Sequence, residues 1–289
     1  MEKQKISGIT LLLLSNATVG MTLLSLQNSF ESPGARILLL SIGNLMASSA
    51  LLSPRLTSRP IIPTKTRHLR WFPIYATAYS LIYGLFAAFP AAVPLTYIGC
   101  AQAIAPVIAA YIFEGYRLHA MFKMVLDALA VGIVILFLIT RSGESTIVPP
   151  GGNIVVVILI IGYITSQFAA RQLASVLPAA SIVPRLAFLN GLFLLPIAII
   201  IRPELGLNPL QFIACALMLG CALLIIQVTM FAGFQRTRPA LSGVIVATNM
   251  PLFFIIEDLW LGRMPSITSA VLAASIVCVI GFRAATKEQ

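Results

Sequence analysis

The chain has 289 residues, of which 59% are hydrophobic and only 10% are Asp, Glu, Lys or Arg. A soluble domain carries about 25% charged residues and keeps a largely polar exterior, so this composition excludes an ordinary globule and requires a lipid-facing surface. A net charge of +10 would point to nucleic acid in a soluble protein. Here the basic residues are confined to short breaks between apolar runs, which makes them markers of membrane topology instead.

A spanning helix needs about 20 mainly apolar residues, and ten such segments follow one another. The first is Ile6–Leu26. Met1 to Lys5 followed by an apolar run looks like a secretory signal, but no small-residue cleavage site follows, so the segment is read as a retained helix. After Ser32-Pro33-Gly34 comes Ala35–Leu52, then Trp71–Phe89 and Val93–Phe113, divided only by a weak break at Pro90 and Pro94. The fifth segment is Ala120–Thr140, and a polar stretch ending in Pro149-Pro150-Gly151-Gly152 follows it. Asn153–Ala174, Ser181–Ile201, Pro209–Ala232, Ala240–Leu261 and Ser266–Phe282 complete the series, with Arg202-Pro203-Glu204 as the clearest break among them.

With the N-terminus in the cytoplasm, ten spans leave only Arg36, Arg141, Arg202 and Arg263 outside; the remaining 15 of the 19 Lys and Arg residues lie on the cytoplasmic side. One missed helix would scramble this alternation, so the asymmetry supports the span count as well as the orientation. The expectation is a multi-pass protein of the cytoplasmic (inner) membrane with both termini cytoplasmic.

The polar break divides the chain into a five-helix repeat at 1–142, a linker at 143–152 and a second five-helix repeat at 153–289. LFAAFPAAVPLTYIGCAQAIAP from Leu85 aligns at an offset of 145 with MFAGFQRTRPALSGVIVATNMP from Met230, with five identities in 22 positions. The prolines are the better signal: Pro94 and Pro106 match Pro239 and Pro251, 12 apart in both halves. Because five is odd, the second half enters the membrane from the opposite side. The predicted fold is all-α, two inverted five-helix repeats, an architecture of transporters that work by alternating access.

With this layout the chain resembles the drug/metabolite transporter superfamily, in particular its ten-helix EamA-type exporters. The likeness covers nearly the whole chain. It rests on the five-plus-five arrangement, the short connection between helices 3 and 4, and mid-helix Pro106 and Pro251. It rests also on Glu114-Gly115-Tyr116-Arg117-Leu118 and Leu261-Gly262-Arg263-Met264, each followed by a helix with a glycine (Gly132, Gly281), and on GYITSQFAARQLA from Gly162, with Arg171 at its cytoplasmic end. The chain departs from the family where Tyr116 and Arg263 replace the usual Glu after Gly, and where Ser15-Asn16 and Gly20 stand in place of a Trp-Gly. The resemblance implies a central cavity lined by helices 1, 3, 4, 6, 8 and 9, and hinge or gating roles for Pro106 and Pro251. It names no substrate.

Polar side chains in mid-membrane are costly and each needs a reason. Asn16, Gln102, Gln167, Gln227 and Asn249 are such residues, and all lie on the helices that the resemblance places around the cavity. They serve either solute binding or interhelical hydrogen bonds. Asn249 is the foremost binding candidate, because Pro251 removes a backbone donor and frees carbonyls near Val246–Ala247. Tyr75, Tyr79 and Tyr83 make one stripe at i, i+4, i+8 on helix 3, which either lines a cavity or faces lipid or packs against helix 2. Small residues at Ala128, Gly132, Ala270, Ala274 and Cys278 suit close packing within the protein or in a homodimer.

Asp127 is the only acid well inside a span. It is either a proton-coupling group or the partner of Lys123, one turn earlier; the second reading is favoured. Cys100, Cys215, Cys221 and Cys278 sit in apolar runs without metal-ligand spacing, and no nucleotide-binding loop is present.

The expected function is a secondary transporter, acting as an exporter, of a small neutral, zwitterionic or weakly cationic metabolite such as an amino acid or amine. Asn16, Tyr79, Tyr83, Gln102, Gln167 and Asn249 are the expected binding residues. No cofactor, metal or nucleic acid is expected, and coupling to a proton or solute gradient is compatible with the sequence. The alternatives are an uptake carrier of the same fold, a membrane-embedded lipid-modifying enzyme, which would need catalytic groups gathered at one interface, and a non-transporting membrane scaffold, which would not need polar residues on the cavity helices.

Overall fold

A computed structural model describes residues 2–29, 32–51, 68–88, 94–113, 121–144, 152–204, 206 and 208–285. Among them there are helices and connecting turns and no strand. The helices are α1 (Glu2–Ser29), α2 (Pro33–Leu51), α3 (Trp71–Ala88), α4 (Leu95–Phe113), α5 (Met121–Glu144), α6 (Gly152–Ala174), α7 (Ala179–Ile201), α8 (Pro209–Arg236), α9 (Pro239–Ala247), α10 (Asn249–Trp260) and α11 (Ile267–Ala285). Each predicted segment coincides with one helix, except the ninth, which is split into α9 and α10. Seven helical stretches among the described residues are long and apolar enough to cross a membrane: α1, α5, α6, α7, α8, α9 with α10, and α11. The chain is therefore an all-α, multi-pass membrane protein.

The helix ends follow local chemistry. Asn208 and Gln211 form a reciprocal capping box at the start of α8, with Pro209 in the first turn, where its missing N–H costs nothing. α10 ends in a Schellman turn: Gly262, at φ 67°, donates to the Leu259 carbonyl and Arg263 N–H donates to the Asp258 carbonyl. Glycine accepts that left-handed conformation freely. The Gly262-Arg263 pair is thus a helix terminator. Its counterpart at Glu114–Leu118, His119, the break at Pro90 and most of the 143–152 linker lie outside the described residues.

The split in the ninth segment falls where the sequence places strain. Pro251 has no N–H to give to the Ala247 carbonyl. Thr248 therefore ends α9 in a tight turn, its N–H shared by the carbonyls of Val244, Ile245 and Val246, and its side chain donating to the Ile245 carbonyl.

The chain packs as two compact units. One holds Met1–Pro90 and Thr165–Thr237; the other holds Ala91–Ile164 and Arg238–Gln289. Neither coincides with 1–142 or 153–289; each gathers helices from both sides of the 143–152 link.

In the first unit, α2 lies against α7 and α8, α1 against α8, and α3 against α2 and α7. Small residues let backbones approach closely, as expected where lipid supplies no hydrophobic drive for association. A Cβ on Gly191 would lie 2.8 Å from the Ser41 carbonyl oxygen, and one on Gly220 would lie 2.8 Å from that of Gly43. Ser41 Oγ donates to the Gly191 carbonyl at 2.8 Å. Arg36, at the start of α2, is buried and donates to the Ala87 carbonyl at the end of α3.

In the second unit, α4 packs on α9 and α10, and α5 on α11. An apolar cluster including Cys100, Ile104, Val134, Phe137, Met250, Phe254 and Ile276 fills its centre, with the Phe137 and Phe254 rings edge to face at 5.7 Å. Outward faces carry large apolar side chains, such as Leu136 and Ile139 on α5, Ile200 on α7, Met218 on α8 and Val271 on α11. The proposed small-residue packing positions divide: Ala270 packs on the apolar cluster, whereas Ala128, Gly132, Ala274 and Cys278 are exposed.

Candidate functional site

The tyrosine stripe of α3 points into its unit and not outward: Tyr75, Tyr79 and Tyr83 are all buried. The Tyr79 and Tyr83 rings stack at 4.2 Å, Tyr75 stacks on Tyr79 at 6.0 Å, and Tyr75 meets Phe231 of α8 at 5.9 Å. Trp71, at the start of α3, meets Phe168 of α6 edge to face at 5.2 Å. Of the remaining predicted site residues in this unit, Asn16 on α1 is buried and Gln167 on α6 is partly buried, its Oε1 without a hydrogen-bond partner.

The same unit holds further polar groups beyond the predicted site. Asn44 on α2 donates to the Leu40 carbonyl at 2.8 Å and accepts from Gln227 Nε2 of α8 at 3.4 Å. Ser15 Oγ donates to the Ile226 carbonyl. Asn190 on α7 is 0% exposed, yet neither atom of its carboxamide has a hydrogen-bond partner; Ser80 Oγ, buried on α3, has none either. Asn44 and Asn190 sit at the centres of their predicted spans, so the mid-membrane polar rule that selects Asn16 and Asn249 applies to them equally.

In the second unit, Gln102 of α4 and Asn249 of α10 come together: Asn249 Nδ2 donates to Gln102 Oε1. Both are buried. Gly99, one turn before, makes this crossing tight; a Cβ there would lie 2.9 Å from Met250 Cα. Gln102 and Asn249 are thus joined by an interhelical hydrogen bond, with Asn249 Oδ1 left without a partner. Pro251 stands just after the break at Thr248. Pro106 lies within the continuous α4, and its side chain is outside the described residues.

Most charge described in this unit is held at helix ends, with Asp127 the exception. Arg141, ending α5, forks onto Asp258 near the end of α10, at 2.7 and 3.2 Å, and its guanidinium lies 4.9 Å from the Phe254 ring centre. Glu257 accepts from the backbone N–H groups of Leu95 and Thr96, at 2.9 and 3.1 Å, and from the Thr96 hydroxyl. A carboxylate from α10 thereby caps the positive end of α4. Asp127, buried in α5, forms an ion pair with Arg283 of α11. The lone mid-span acid thus has a basic partner, and that partner comes from a helix far along the chain; the Lys123 side chain lies outside the described residues. No group of three or more His, Cys, Asp or Glu residues suited to a metal occurs among the described residues.

Neither a family model nor a curated protein matches the chain. Chains of solved structures do match. One, described only as "Crystal structure of protein", has a TM-score of 0.65 at 14% identity, over 98% of this chain and 97% of its own. At that identity the likeness is one of fold, and it extends over nearly the full length of both chains.

Proposed function

We propose that the protein is a secondary transporter of drug/metabolite-transporter type, ten spans in two inverted repeats, exporting a small neutral, zwitterionic or weakly cationic solute. The observation that carries this reading is the reciprocity of helix packing. Counting the split segment as the ninth, helices of equal rank in the two halves pair with each other: α2 with α7, α4 with α10, α5 with α11. Some unequal pairs recur in exchanged form: α3 on α7 answers α8 on α2, and α4 on α5 answers α9 on α11, whereas the close packing of α1 on α8 is answered, among the described residues, only by the ring contact of α3 with α6. The offset of 145 carries Gln102 onto Ala247 and Ile104 onto Asn249. Gln102 bonds Asn249, and Ile104 and Ala247 share one apolar cluster. A two-fold relation between halves carries each equal-rank pair onto itself and gives the recurring unequal pairs their two forms, and a transporter uses such a relation to exchange the conformations of its halves.

Helix ends within each unit also alternate as the topology requires. The start of α2 meets the end of α3 at Arg36 and Ala87, and the start of α4 meets the end of α10 at Glu257. The binding groups we assign are Tyr79, Tyr83, Asn16 and Gln167 of the first unit, which together offer ring faces, donors and acceptors. Gln102 and Asn249 we assign to the lock between α4 and α10, beside the break at Thr248.

The test is counterflow. Proteoliposomes preloaded with unlabelled amino acids and amines, one per experiment, are given the labelled compound outside. Several-fold accumulation over protein-free vesicles for at least one compound is the expected result; none across the panel overturns the reading. Accessibility of engineered cysteines at both termini from the cytoplasmic side only is the matching result for topology.

A further inference from the structure

α3 and α7 run side by side in the same direction: the Arg185 guanidinium lies 5.9 Å from the Phe72 ring near the start of both helices, and a Cβ on Gly84 would meet Leu194 at 3.6 Å near their ends. Ser80 stands one turn before Gly84 and Asn190 one turn before Leu194, on the same faces. That register sets Ser80 and Asn190 at the same level of the α3–α7 seam. Ser80 is 5% exposed and Asn190 is 0% exposed, and the hydroxyl and both ends of the carboxamide lack hydrogen-bond partners, each other included.

A buried, unsatisfied carboxamide beside an unsatisfied hydroxyl is expensive, and other central amides here do pair, Asn44 with Gln227 and Gln102 with Asn249. We infer that Ser80 and Asn190 form a polar subsite in the α3–α7 seam that takes an uncharged hydrogen-bonding group of the solute, a hydroxyl or a carboxamide. The group must be uncharged because α3 has no charged residue and no acid faces the seam from α2 or α7, whose only charged residues, Arg36 and Arg185, lie more than a turn away, on the Ala87 carbonyl and over Phe72. It must both donate and accept, to meet the carboxamide at both ends. The stacked Tyr79 and Tyr83 flank Ser80 along α3, placing a ring surface next to the polar notch. The inference rests on the transporter reading, under which the seam opens to water in the other state of the cycle.

Water access tests the subsite without knowledge of the solute. In a background with Cys100, Cys215, Cys221 and Cys278 changed to alanine, Ser80→Cys, Asn190→Cys and, as a dry control, Ala130→Cys are treated in proteoliposomes with a positively charged, membrane-impermeant methanethiosulfonate. Modification of the first two but not the control is expected. Unmodified thiols at both positions in folded protein overturn the subsite. A second arm uses Asn190→Leu, which replaces the carboxamide by an apolar group of similar size. We expect its thermal midpoint in detergent to be at least that of the parent, with counterflow at least ten-fold lower. Counterflow equal to the parent overturns the subsite alone. A parent with no counterflow of any panel compound overturns the transporter reading, while the cysteine arm still decides whether the seam is wet.

Discussion

The two units solve the problem of polar groups in a membrane in different ways. The second pairs its charges, Arg141 on Asp258 and Glu257 on the start of α4 at helix ends and Asp127 on Arg283 inside α5, and keeps an apolar centre crossed by one amide pair. The first buries amides, hydroxyls and a tyrosine stripe throughout, and leaves several of their atoms without partners; the second leaves fewer, among them Asn249 Oδ1 and Ser269 Oγ. A protein interior that is fully satisfied resists change, whereas one with open hydrogen-bonding capacity has something to offer a ligand. Under the transporter reading proposed above, one set of helices clamps and the other recognises the solute.

The sharpest way to break this contrast is at Arg141. Arg141→Leu strands Asp258, 1% exposed, without its cation, and should cost about 3–5 kcal/mol. The expected result is loss of monodisperse protein after extraction. The double variant Arg141→Leu/Asp258→Leu should recover most of it. A single variant as stable as the parent would remove the clamp.

Next in size is Gly191→Ala. The added methyl meets a backbone oxygen and the Leu45 side chain below 3.0 Å, so α2 and α7 must part at a cost of about 1–3 kcal/mol. A lowered thermal midpoint in detergent is the expected reading. Asp127→Asn leaves Arg283, whose side chain is 20% exposed, able to reach water; the cost should be about 1–2 kcal/mol. Counterflow and its pH dependence should stay close to the parent's. Loss of proton-driven transport in the folded variant would make Asp127 the coupling group.

The smallest effects sharpen the comparison within the first unit. Asn44→Leu breaks bonds to Leu40 and Gln227 and should cost about 1 kcal/mol. Asn190→Leu breaks none and should cost nothing, or stabilise. Equal thermal shifts for the two would show that the Asn190 carboxamide supports the bundle as much as that of Asn44 does.

Much of the helix pattern is legible in the sequence because a membrane forces each crossing to be a long apolar run bounded by Pro, Gly or charge. Ala35–Leu52 and Ser181–Ile201 match α2 and α7 to within two residues, and the motif Leu261-Gly262-Arg263 ends a helix. Pro251 marks a break because a missing donor acts locally, through the Ala247 carbonyl one turn before it. Pairing was not legible. Asp127 reads as the partner of Lys123, since i,i+4 proximity is visible in one dimension, while Arg283, 156 positions later, is not. Asn249 reads as the foremost binding residue, and its Nδ2 bonds Gln102, because only packing decides which amides meet.

By itself, then, the sequence determined that this chain lives in a bilayer as a series of helices, and where most of them begin and end. Those properties follow from composition and near-neighbour chemistry. Only the tertiary structure decided that packing divides the chain across its halves, that the tyrosine stripe of α3 turns inward, and which buried polar groups bond each other and which remain open. Such outcomes depend on contacts between residues far apart in the chain, and a hydrogen bond about 3 Å long leaves no trace in the spacing of the residues that make it.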